Sequence, residues 1–161
     1  MNLIFSDQFK FMADIRHLLK IEVEPYRIYQ ALTTAAGIRQ WWTDSADLDE
    51  QVGGKGIFRF NYGRTVETVV QIINLQEPVL VTWTILNSFR PEQNGTVITF
   101  ELRPNGNDTL LHFSQDGFTS ADDTYALMNT GWAYYLVSLK QYLETGQGAP
   151  SPKVDFSIMA I

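Results

Sequence analysis

The stretch 121–145, ADDTYALMNTGWAYYLVSLKQYLET, carries apolar side chains at intervals of three and four residues. That spacing is typical of an amphipathic α-helix, with Ser120 as the expected N-cap and Gly146 as the expected C-terminal cap residue. A helix of about 25 residues is roughly 37 Å long, so in a chain of this size it must lie across a β-sheet. The stripe predicted to face that sheet consists of Tyr125, Met128, Trp132, Leu136, Leu139 and Leu143.

The chain ahead of this helix is predicted to form mainly strands, because its apolar residues alternate with polar ones. The first strand covers 15–23, with the same alternation continuing back to Phe9, and two short helices follow over 25–33 and 35–41. Short turns between later strands favour antiparallel neighbours. The order therefore predicts an α+β fold, in which a curved antiparallel sheet of six or seven strands wraps one long C-terminal helix. The later strands are predicted near Leu48 and over 58–62, 65–75, 79–85, 96–103 and 109–115.

Composition and charge exclude several classes of protein. The 161 residues fit one domain, and a hydrophobic share of 45% is that of a globular chain. A net charge of −6 without a basic run argues against a nucleic-acid partner, because phosphate contacts need clustered cations. The chain has no cysteine, which removes disulfides, thiol nucleophiles and thiolate zinc sites. Neither a signal peptide nor an apolar run long enough for a membrane span is present, so we expect a cytoplasmic protein.

Aromatic residues make up 13% of the chain, and many fall on the predicted inner faces of the strands and the helix. Such rings either fill a core or surround an apolar cavity, and the sequence leaves both outcomes open. Three polar residues share these faces, His17, Gln115 and Asn129, and each would either contact a ligand or make a structural hydrogen bond. The candidate ligand-binding residues are His17, Trp41, Trp42, Phe58, Phe60, Tyr62, Trp83, Phe100, Phe113, Gln115, Tyr125, Met128, Asn129 and Trp132.

Nine short motifs follow one another along the chain, each occurring once. They are YQALTT at 29–34, WWT at 41–43, VGG at 52–54, FRF at 58–60, TW at 82–83, TVITFEL at 96–102, QDGF at 115–118, GW at 131–132 and LKQYLETG at 139–146. In order and spacing they resemble the START-like (SRPBCC) superfamily. Within it, they are most similar to the single-domain relatives of the activator of the Hsp90 ATPase. The likeness runs from about Ile15 to Gly146, which is nearly the whole chain.

The resemblance implies the helix-grip fold, in which the long helix and the sheet enclose a pocket for a small hydrophobic or amphipathic molecule such as a lipid. It places one domain over 1–146, with a core over 15–146, an N-terminal extension over 1–14 and a C-terminal tail over 147–161. Many relatives carry a histidine where this chain has Gln115, so chemistry that needs an imidazole there is not expected. No cofactor is expected either.

Two other functions stay open. The resemblance also implies a stress- or chaperone-associated interaction module, although only about a dozen residues precede the fold, where the eukaryotic co-chaperone has a further domain. Some START-like relatives are cyclases or hydratases, and His17, Tyr62 and Gln115 are the candidates for proton handling in such an enzyme. No catalytic constellation or metal-ligand spacing is visible, so an enzyme is the less favoured alternative. The apolar tail residues 154–161 could cover a sheet edge or join a second subunit in a homodimer.

Overall fold

A single antiparallel sheet of seven strands forms the body of the protein, for which a computed structural model describes residues 12–153 and 155–160. The strand order is β1-β7-β6-β5-β4-β3-β2, so β1 and β2 are the two edges. This arrangement confirms the predicted sheet, whereas the continuation of the first strand back to Phe9 lies outside the described residues. The strands are β1 (Ala13–Ile21), β2 (Ser45–Leu48), β3 (Lys55–Asn61), β4 (Thr65–Gln76), β5 (Leu80–Ser88), β6 (Val97–Asn105) and β7 (Asp108–Phe118).

Three α-helices accompany the sheet in the described part of the chain. The short helices α1 (Pro25–Thr33) and α2 (Ala35–Trp41) follow β1, and the long helix α3 (Asp123–Thr145) follows β7. This order confirms the α+β helix-grip architecture that the periodicity and the resemblance predict. Two 3₁₀ turns, Pro91–Gln93 and Ser157–Ala160, lie after β5 and near the C-terminus.

The two ends of α3 are fixed by residues next to it in sequence. Gly146 has a φ of 84°, and its N–H donates to the carbonyl of Tyr142, as expected of a glycine cap. The prediction that Ser120 is the N-cap is wrong. The N-cap is Asp122, whose carboxylate accepts a hydrogen bond from the Tyr125 N–H at 3.0 Å. Asp122 has extended backbone immediately before the helix, so its side chain reaches the free N–H groups of the first turn. Ser120 lies two residues too early and donates instead to Asp122.

The buried stripe of α3 faces the sheet as predicted from Met128 to Leu143. Two positions near its N-terminal end differ from the prediction. Tyr125 is half-buried, and its hydroxyl donates to the carbonyl of Asp14 at 3.1 Å, so it lies at the rim of the core. Asn129 is exposed, and its predicted place on the inner face is wrong. It follows the inward-facing Met128, and one residue along a helix turns the side chain by about 100°.

Candidate functional site

One end of the inner face is filled by aromatic rings. The Trp42 ring lies at its centre, with ring centroids 4.7 Å from Phe58, 5.8 Å from Trp83 and 5.2 Å from Trp132. Phe100 packs edge-on against Trp83 at 5.1 Å. The ring cluster, by which we mean Trp41, Trp42, Phe58, Trp83, Phe100, Phe113 and Trp132, is almost wholly buried. Rings packed at these distances leave no room for a ligand among them.

Next to the ring cluster, a small cavity separates α3 from strands β3 to β6. Its volume is about 40 Å³, which suits a few water molecules, since one water needs roughly 10–15 Å³ of such space. The wall is mostly apolar. Five predicted residues line it: Trp42, Phe60, Tyr62, Met128 and Trp132. The other lining residues are Thr68, Ile85, Phe89, Gln93, Ile98, Gly131, Tyr135 and Met159.

A buried polar network supports one wall of this cavity. The indole N–H of Trp132 donates to Gln115 Oε1 at 2.8 Å, and Gln115 Nε2 donates to Gln93 Oε1 at 3.1 Å and Thr96 Oγ1 at 3.0 Å. The amide of Gln93 donates in turn to Ser88 Oγ at 2.8 Å. Gln115 is fully buried, and both ends of its amide are engaged. It therefore makes structural hydrogen bonds, which hold Trp132 and Gln93 in place at the cavity.

Two tyrosine hydroxyls form the other polar feature of the wall. The hydroxyl oxygens of Tyr62 and Tyr135 lie 2.9 Å apart in a buried hydrogen bond. Burial raises the pKa of Tyr62 far above its usual value, and it raises the pKa of Tyr135 to about 12. Both hydroxyls are therefore protonated at neutral pH, and one of the two O–H groups is used in their mutual hydrogen bond.

Residues 22–144 match the family model described as Activator of Hsp90 ATPase homolog 1-like protein. The chain belongs to this family. The solution structure of the Aha1 dimer from Colwellia psychrerythraea is 34% identical, with a TM-score of 0.77 over 84% of this chain and 99% of that one. Family membership confirms the resemblance drawn from the motifs.

More distant structures share the fold of this AHSA1-like protein. The protein MLL2253 from Mesorhizobium loti is 22% identical, with a TM-score of 0.70 over 82% of this chain and 97% of that chain. The conserved protein of unknown function EF2215 from Enterococcus faecalis is 23% identical, with a TM-score of 0.70 over 92% of this chain and 81% of that chain. A search of curated proteins found no match in sequence.

The remaining predicted site residues of the AHSA1-like protein do not line the cavity. Trp41, Phe58, Trp83, Phe100 and Phe113 pack behind it in the ring cluster. Tyr125 and Asn129 lie outside it, at the rim of the core and at the surface.

His17 is half-buried on β1 beside Phe113, with the ring centroids 6.0 Å apart. Its buried Nε2 has no hydrogen-bond partner among the described residues, and the same is true of the indole nitrogen of Trp83. Neither residue lines the cavity, so neither orphaned nitrogen faces it.

Several lining residues escaped the sequence analysis, for reasons that differ. Tyr135 lies three residues after Trp132 on α3, and Ile85 and Ile98 share the inner phase of their strands, so helical and strand periodicity could have found them. Gln93 sits in a 3₁₀ turn, where no periodic signal exists. Met159 belongs to the tail, which the sequence analysis assigned to a sheet edge or a second subunit and not to the cavity wall.

Among the residues that the structure describes, no helix is both long and apolar enough to cross a membrane. In the same part of the chain, no three His, Asp or Glu side chains come together as metal ligands would.

Proposed function

We propose that this protein binds a small hydrophobic or amphipathic molecule in the cavity between α3 and the sheet. The observation that carries the proposal is the composition of the wall, in which apolar side chains surround a few fixed polar groups. The second N–H of the Gln93 amide, whose first N–H bonds to Ser88, and the hydroxyl pair of Tyr62 and Tyr135 would orient the polar end of a ligand. The apolar part would lie against Phe60, Met128 and Trp132.

Binding requires the cavity to expand. Its volume of about 40 Å³ is well below the roughly 300 Å³ at the low end of ordinary ligand sites. Methionine is the apolar side chain that adapts most easily, because it is unbranched and has several rotatable bonds. Met128 and Met159 both line the cavity, so their movement would enlarge it at little cost.

The three proton-handling candidates favour a binding protein over an enzyme. His17 does not line the cavity, and the amide of Gln115 is held by Trp132, Gln93 and Thr96. Tyr62 lines the cavity, but burial raises the pKa of its hydroxyl, which makes it a poor acid or base at neutral pH.

Titration of the full chain with dodecanoate tests the proposal, with tryptophan emission as the signal because Trp42 and Trp132 line the cavity. We expect a saturable change with one molecule bound per chain. The variant Thr68→Phe places a ring in the cavity and should weaken binding at least tenfold. Thr65→Phe is the matched control, because Thr65 is exposed on the same strand. Absence of saturable binding, or equal affinity in the two variants, would contradict the proposal.

A second candidate function is that of an interaction module. The family description and the Colwellia psychrerythraea dimer support it, and they motivate a homodimer and a chaperone of the Hsp90 class as partners. Light scattering after size-exclusion chromatography should give twice the mass of the 18.4 kDa chain. A pull-down with an Hsp90 homologue should retain the protein, and adding the protein should change the ATPase rate of that homologue. A monomeric mass, together with no retention in the pull-down and no change in the ATPase rate, would contradict this second function.

A further inference from the structure

The C-terminal segment, residues 155–160, contributes Met159 to the cavity wall and packs through Phe156 on neighbouring tyrosine rings. The Phe156 ring packs against Tyr134 with centroids 5.2 Å apart, against Tyr135 at 6.0 Å and against Tyr62 at 6.3 Å. Met159 is 3% exposed, and its side chain forms part of the cavity wall. The chain thus inserts one of its own apolar side chains into the space proposed for a ligand.

Met159 occupies a narrow slot on α3, opposite Gly131. A Cβ atom built on Gly131 would lie only 3.0 Å from Met159 Cε and 3.6 Å from Met159 Sδ. The thioether chain therefore rests directly on the helix backbone, where any larger residue than glycine would crowd it. A slot that holds an unbranched thioether chain and has no space for a Cβ atom beneath it favours an unbranched apolar chain.

Among the described residues, the C-terminal segment makes fewer backbone hydrogen bonds to the rest of the chain than Ser151 does. Ser151 is bonded by its backbone to Trp42 and Asp44, and its hydroxyl accepts from the Asn61 N–H. In the C-terminal segment, the Met159 carbonyl accepts from Arg90 Nε at 3.2 Å, while the Met159 N–H bonds within the segment, to Phe156. Ile158 between them is 50% exposed. The segment can therefore leave the cavity while Ser151 keeps the preceding chain in place.

We infer that the slot filled by Met159 is the binding position for one unbranched apolar chain, as in a medium-chain carboxylate or alcohol, and that this ligand and the C-terminal segment exclude each other. The inference rests on the proposed function and adds to it the shape of the ligand and a built-in competitor. Departure of Met159 enlarges the cavity by the volume of its side chain and removes the Met159 carbonyl as an acceptor for Arg90 Nε.

An engineered disulfide tests the exclusion. A Cβ atom on Gly63 would lie 3.7 Å from Ser157 Cβ, within the roughly 3.5–4.5 Å that a disulfide needs. The full-length double variant Gly63→Cys, Ser157→Cys has no competing thiol, because the natural chain has no cysteine. Gly63 has a φ of 81°, so a cysteine there is strained. Comparing the oxidised and reduced forms of the same double variant cancels that strain.

We expect dodecanoate to bind the oxidised form at least tenfold more weakly than the reduced form. In the otherwise natural chain, Met159→Ala should bind it several-fold more tightly, and Met12→Ala should not differ, because Met12 is exposed away from the cavity. Equal affinity in the oxidised and reduced forms, or weaker binding by Met159→Ala, would overturn the exclusion and leave the proposed function standing. Failure of the natural chain, the reduced variant and Met159→Ala to bind at all would overturn both.

Discussion

The two ends of the inner face are built from the same sheet and helix, yet they are closed in different ways. At the ring cluster, side chains from α2, α3 and four strands meet ring against ring, as Trp42 does with Phe58 and Trp132. At the cavity, part of the wall comes from the turn at Gln93, from Gly131 and from the C-terminal segment. We therefore expect the ring cluster to contribute more to the free energy of unfolding, and the cavity end to rearrange more easily.

The largest expected effect is the loss of a ring from the ring cluster. Phe100→Ala should lower the free energy of unfolding by about 3–5 kcal/mol, because Phe100 is fully buried between Trp83 and Phe113. Phe89→Ala is the matched change at the cavity end, where Phe89 is half-buried. This variant should lower the free energy of unfolding by about half as much or less. Urea unfolding of both variants measures the difference. Equal losses would remove the contrast between the two ends.

The polar network between the two ends comes next. Gln115→Met keeps the shape of the side chain but leaves the Trp132 N–H and the Gln93 carbonyl without their partner. A buried polar group without a hydrogen-bond partner costs about 1–3 kcal/mol, so we expect the free energy of unfolding to fall by an amount in that range. Gln71→Met is the control, because the Gln71 amide bonds to Gly53 at the surface. A loss in Gln115→Met no larger than in this control would show that the network does not hold the wall.

The tyrosine pair predicts a dependence of stability on pH. A tyrosine in the unfolded chain releases its proton near pH 10, whereas burial raises the pKa of Tyr135 in the folded protein to about 12. Between these values the unfolded state binds fewer protons, so stability is present below pH 10 and falls as the pH rises. The slope approaches about 1.4 kcal/mol per pH unit for this residue. Denaturation by urea from pH 8 to 11 should show the fall, and Tyr135→Phe should make it shallower. An unchanged slope would contradict the buried pair.

The smallest expected effect belongs to the slot on α3. Alanine is about 1 kcal/mol better than glycine inside a helix. Gly131→Ala should gain less than this, because its new methyl group presses on the end of Met159. The reverse exchange at an exposed site of the same helix, Ala133→Gly, should show the full loss. If Gly131→Ala gained the whole amount in thermal unfolding, Met159 would not occupy the slot.

The sequence predicts the ring cluster much better than the cavity, and the reason is periodicity. Alternation placed Phe58 and Phe100 on inner faces, and the helical stripe placed Trp132 opposite them. The cavity wall depends on Gln93 and Met159, which lie in 3₁₀ turns that carry no periodic signal. The role of Gln115 was open for the same reason, because its partner Gln93 comes from such a turn. Asn129 was misplaced because it lies one residue from the stripe.

The most direct test of a ligand site at the cavity end follows the methionine methyl groups by NMR after ¹³C labelling. Met128 and Met159 line the cavity, whereas Met12 is exposed elsewhere. Titration with dodecanoate should shift the Met128 and Met159 signals together and saturate, while the Met12 signal stays in place. Signals of Met128 and Met159 that do not move while the ligand binds, or do not move at all, would contradict the account.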